Sequence, residues 1–123
     1  MLVRIAAVRL GVPTMVDATL ADIRLSAEWL GTPPQPGDLV DVEMDIDDML
    51  GWGKTIAMAG NESTLRDGPR LHGVVEHHEQ QVLTIRIGVG LLQVELHDGS
   101  TAIPPGTAVF VVVENPKLYP TGA

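Results

Sequence analysis

The sequence predicts an all-β protein, a small barrel or sandwich, on three observations. Thirteen glycines and nine prolines interrupt the 123-residue chain, so few windows are long enough to express a 3.6-residue period. The apolar segments have strand length and are rich in Val, Ile and Leu. Between them stand GVP, GTPPQPGD, LRDGPR, EQQ, DGS and PPGT, built from the residues that turns require. Short strands at this spacing are the pattern of a barrel or sandwich.

The elements follow in order. LVRIAAVRL (2–10) reads as the first strand and TMVDATLADIRL (14–25) as the second. SAEWL (26–30) is the one helix-compatible window, a single turn stopped by Gly31-Thr32-Pro33-Pro34. LVDVEMDI (39–46) alternates strictly between apolar and acidic residues. Residues 55–69 begin as a strand and end as a polar loop. LHGVVEHH (71–78), VLTIRIGVGLLQVEL (82–96) and AVFVVVE (108–114) complete the set. The unbroken VFVVV is a strand covered on both faces, by the rest of the chain or, in a homodimer, by a second copy.

Sliding the chain over itself by 69 residues places PPQPGDLVDVEM (33–44) on AIPPGTAVFVVV (102–113). Pro36, Gly37, Val40, Val42 and Gly53 then coincide with Pro105, Gly106, Val109, Val111 and Gly122. Two similar β units, 1–54 and 70–123 joined by 55–69, are therefore expected within a single compact domain. In the same region GTAVFVVVENPKLYPTG (106–122) resembles the closing strand of the TOBE and MOP small β-barrels. The resemblance implies an OB-like or TOBE-like topology and, as one function, oxyanion binding, although no residue of an oxyanion pocket can be carried across.

Charge narrows the function classes. With 16 acidic and 8 basic residues the net charge is −8, which repels phosphate backbones and anionic membrane surfaces. Aromatic residues make up 3% of the chain, too few for a row of base-stacking platforms. Absence of cysteine removes disulfides, thiolate metal sites and cysteine nucleophiles. Arg4 and Arg9 interrupt the apolar start, no run reaches the ~20 residues of a membrane helix, and a cytoplasmic protein is expected.

Residues 51–55, Gly-Trp-Gly-Lys-Thr, spell the end of a phosphate-binding loop, but Asp48 stands where the first glycine belongs. A carboxylate there opposes the phosphates, so a turn between strands is the better reading. The residues before it are more distinctive. Period-two alternation sets Val40, Val42, Met44 and Ile46 on one face and Asp41, Glu43, Asp45 and Asp47 on the other, with Asp48 and Trp52 just beyond. Same-face neighbours about 7 Å apart repel one another unless cations answer them; Arg4, Arg9, Arg24 and Arg86 are the candidates. A solvated edge that blocks aggregation is one outcome, a docking surface for a basic protein is a second, and a calcium site is the third, although Asp45-Ile46-Asp47-Asp48 lacks the spaced ligands and Gly of a recognised loop.

His72, Glu76 and His78 share a strand face, but i and i+6 lie about 20 Å apart, too far for one metal ion. No Gly-x-Ser-x-Gly or HExxH motif occurs. The expectation is therefore a non-enzymatic acidic binding module without cofactor or metal, resembling an immunity or antitoxin-like inhibitor. Its partner surface comprises Asp41, Glu43, Asp45, Asp47, Asp48 and Trp52. A small-ligand (oxyanion) barrel is the alternative.

Overall fold

A computed structural model describes residues 1–121. Its ten strands are β1 (Leu2–Arg9), β2 (Met15–Leu20), β3 (Ile23–Trp29), β4 (Leu39–Asp45), β5 (Ile56–Met58), β6 (Arg70–Glu79), β7 (Val82–Ile87), β8 (Gly90–Glu95), β9 (Ala108–Val112) and β10 (Lys117–Pro120). The sole helical element among the described residues is a 3₁₀ turn, Glu62–Thr64. The all-β prediction holds, with a closed five-stranded barrel and a second five-stranded sheet.

The barrel order is β1-β2-β3-β10-β4, with β10 parallel to β3 and antiparallel to β4. Counting β10 as the fifth strand, this is the OB arrangement, a closed Greek-key barrel. The second sheet runs β5-β9-β6-β7-β8. Written from its fifth strand the barrel runs β10-β4-β1-β2-β3, so β5 and β10 hold equivalent places. β5, from the 55–69 segment, therefore completes the sheet of the carboxy-terminal strands, and β10 completes the barrel of the amino-terminal ones. A single parallel bridge, Leu50 to Leu96, stands where the barrel has its β3–β10 closure.

The repetition extends to local geometry. Gly37 and Gly106 adopt φ of +91° and +92°, a region that glycine enters without strain. Their amides donate to the carbonyls of Ile5 and Val75 at 2.7 and 2.8 Å, and the Ile5 and Val75 amides donate to Asp38 and Thr107 at 2.9 Å each. Register irregularities at Ile5/Ala7 and Val75/His77 occupy matching places in β1 and β6. Gly122, the counterpart of Gly53, lies outside the described residues.

Two long strands of the sequence reading are hairpins. Ala21 and Asp22 form a two-residue turn with φ of +49° and +66°, between paired Leu20 and Ile23, the geometry that matches strand twist. Gly88 and Val89 turn the 82–96 segment between paired Ile87 and Gly90. SAEWL is strand rather than helix, because Leu25, Ala27 and Trp29 are buried at period two while Ser26 and Glu28 are not. The Trp29 indole N–H donates to the Thr32 carbonyl at 2.8 Å, which satisfies the polar end of a buried ring. One continuous apolar core runs through both sheets, from Val3, Val16 and Leu118 to Leu83, Leu92 and Val109, each fully buried.

On the barrel surface Arg9 donates to both carboxylate oxygens of Asp17, at 2.9 and 3.1 Å, and to the Ser26 hydroxyl at 3.1 Å. The Arg9 hydrogen bonds hold the Asp17 carboxyl below the ordinary carboxylate range. A depressed folded-state value contributes stability that is complete above the unfolded value of about 3.9 and is lost as pH falls through the folded one. Arg9→Gln is expected to move the Asp17 titration upward and weaken this acid dependence. Carboxyl ¹³C NMR titration checks it, and an unchanged midpoint contradicts the pairing.

Candidate functional site

The acidic row lies where the sequence places it. Val42, Met44 and Ile46 are buried in the core, and Asp41, Glu43, Asp45 and Asp47 face solvent. The cations that answer the row are not the expected arginines. Strand register sets β1 on one side of β4 and β10 on the other, with Leu2 opposite Asp41, Tyr119 opposite Glu43 and Lys117 opposite Asp45. The Met1 ammonium meets Asp41 Oδ1 at 3.0 Å and Lys117 Nζ meets Asp47 Oδ2 at 2.7 Å. Hydrogen bonding to that ammonium holds the Asp41 carboxyl below its ordinary range, and Asp47 raises the Lys117 ammonium above its own. Arg9 and Arg86 instead pair with Asp17 and Glu76. Among the described residues no cation lies within ion-pair distance of Glu43, Asp45 or Asp48.

Beyond Asp45 the chain leaves the barrel, reaches the second sheet at the Leu50–Leu96 bridge and enters β5. Three adjoining depressions follow this path. The first, about 540 Å³, is lined by Glu43 and Asp45 together with Leu91, Gln93 and Tyr119. The second, about 310 Å³, shares Asp45 and Gln93 with it and adds Asp47, Val82 and Glu95. The third, about 670 Å³, shares Asp47 with the second and brings Asp48 and Trp52 together with Lys54, Arg66 and Glu114. Five of the six expected residues thus line one track along the seam between the two sheets, and Asp41 lies outside it. Leu91 is 58% exposed and Val82 and Tyr119 just under 40%, so apolar surface borders the carboxylates. Leu91, Gln93 and Tyr119 escape a linear reading, because only the exchange of β10 and the placement of β8 bring them beside β4.

Gly-Trp-Gly-Lys-Thr is a self-contained turn. The amides of Lys54, Thr55 and Ile56 all donate to the Gly51 carbonyl at 3.0–3.2 Å, Gly53 donates to Ile56 at 2.8 Å, and Gly51 donates to the Thr55 hydroxyl at 2.9 Å. A phosphate loop must aim such amides at its ligand, and here they are consumed within the turn. The turn interrupts the closing segment of the second sheet, between the Leu50 bridge and β5. Trp52 is partly buried against the core and keeps one part in solvent.

The histidines are dispersed. His72 packs on Phe110 with ring centroids 4.8 Å apart, and His78 accepts the Ile103 amide at Nδ1, 3.0 Å away. No group of three His, Asp or Glu is placed to hold a metal ion among the described residues. No helix among them is long and apolar enough to cross a membrane. No protein-family model, curated protein or solved structure matches the chain.

Proposed function

We propose that the chain is a non-enzymatic, cytoplasmic, acidic module that docks a basic surface of another protein along the seam, in the manner of an immunity or antitoxin-like inhibitor. The observation that carries this reading is the run of uncompensated carboxylates, Glu43, Asp45 and Asp48, beside exposed Leu91 and Tyr119. Carboxylates facing a cationic partner raise the encounter rate, and apolar and aromatic side chains supply the contact that lasts. Asp41 and Asp47 already hold cations and contribute less. A net charge of −8 disfavours nucleic acid and anionic membranes as partners.

The oxyanion alternative draws on the likeness of residues 106–122 to TOBE and MOP closing strands. It is weakened at the cleft that holds Lys54 and Arg66, because Asp47, Asp48 and Glu114 line the same cleft.

Capture from the native host at low salt is expected to recover a basic protein in stoichiometric amount. Glu43→Gln, Asp45→Asn and Asp48→Asn together should weaken that complex by at least about tenfold while leaving the melting temperature unchanged. Capture that is indifferent to the three substitutions, or that yields no stoichiometric partner, overturns the proposal.

A further inference from the structure

A fourth depression, which shares Trp52 with the third, has a different chemistry. It measures about 600 Å³, within the range of small-molecule sites. Trp52 and Ile103 give it apolar walls, and Asn61, Ser63, Thr64 and Thr101 give it a polar rim. Among the described residues the side chains of these four make no hydrogen bond within the protein. No Lys or Arg lines the cavity, and Asp98 is its one charged group.

The walls are held before any ligand arrives. The Ser100 amide donates to Asp98 Oδ1 at 2.9 Å, and the Ile103 amide donates to His78 Nδ1 at 3.0 Å. The other ring nitrogen of His78 lies 2.8 Å from the Gln80 carbonyl. Gly99 lies so close to the Gln80 backbone that a Cβ would come within 2.1 Å of that carbonyl oxygen. These contacts fix the 98–103 loop against the β6–β7 hairpin, and fixed walls lower the ordering cost of binding.

We infer that this cavity is a binding site for a neutral polyhydroxylated ligand, a saccharide ring or short saccharide chain. An anion finds no cation here, and a purely apolar ligand would strip water from the hydroxyl and amide rim without replacing its hydrogen bonds. A sugar presents an apolar C–H face that packs on an indole and an edge of hydroxyls that both donate and accept, which matches amide, hydroxyl and carboxylate partners. The site shares Trp52 with the acidic seam but none of the seam's carboxylates, so Asn61 and Thr101 test this assignment while Glu43, Asp45 and Asp48 test the other.

The test is titration of the whole protein with glucose, maltose, cellobiose and N-acetylglucosamine, followed by tryptophan fluorescence and ¹⁵N amide shifts. Trp29 is 4% exposed, so fluorescence changes report Trp52. At least one sugar is expected to give saturable shifts confined to residues 51–64 and 97–103. Trp52→Ala should weaken this binding about tenfold. Asn61→Ala with Thr101→Ala, both at exposed positions, should also weaken it and leave the fold intact, whereas Asp45→Asn should not change it. Absence of saturable shifts with all four sugars overturns the inference. So do shifts that persist undiminished in both the Trp52 and the Asn61/Thr101 variants.

Discussion

Leu118→Ala is expected to destabilise the protein by about 2–5 kcal/mol, the range for emptying a fully buried leucine site, and to loosen the amino-terminal barrel rather than the sheet of its own half. Leu118 is fully buried and stands between Trp29 of β3 and Met44 of β4. Its carbonyl accepts the Leu30 amide, and the Pro116 carbonyl accepts that of Glu28, both at 3.0 Å. Hydrogen exchange at Glu28 and Leu30 should therefore accelerate more than exchange within β6 and β7. A typical domain has only about 5–15 kcal/mol of stability in total, so the loss is easily measured by denaturant unfolding. Accelerated exchange confined to β6–β9 would contradict the exchange of fifth strands.

Gly73→Ala is expected to cost about 1–3 kcal/mol or more through overpacking, although Gly73 lies in a regular strand and not in a turn. A Cβ there would approach Ile85 Cγ2 to 2.4 Å and the Arg86 carbonyl oxygen to 2.7 Å. The isoleucine can rotate, but the carbonyl belongs to the neighbouring strand and can move only with it. Gly51→Ala is the control. Its nearest contact would be His97 Cδ2 at 3.7 Å, so it should stay within about 0.5 kcal/mol of the parent. Equal melting temperatures for the two variants would contradict this account of the β6–β7 contact.

The strand composition and the Gly and Pro punctuation made the fold class legible, because both act locally. The strict alternation of residues 40–47 likewise fixed which side chains enter the core. What escaped was non-local or lacked a turn signature. Ala21-Asp22 occupies a left-handed turn without glycine, so no turn signal divides the apolar segment from Met15 to Leu25. SAEWL has helix-forming composition, yet burial of Leu25, Ala27 and Trp29 against the core overrode propensity. β10 has four residues ending in Pro120 and carries little pattern of its own. Missing it hid the exchange of strands, and with it Lys117 and Tyr119 as neighbours of the acidic row. Alignment at 69 residues did register the matched Gly37 and Gly106 turns, since a left-handed glycine before a strand leaves a sequence trace.

The most direct test of the docking proposal is the association rate of the recovered partner, measured by stopped flow from about 10 mM to about 1 M salt, where the Debye length shrinks from about 30 Å to about 3 Å. For the parent protein the rate should fall at least about tenfold across this range. For the variant lacking charge at Glu43, Asp45 and Asp48 it should start low and change little. A parent rate indifferent to salt, or a variant that associates as fast as the parent at low salt, would contradict docking through the acidic seam.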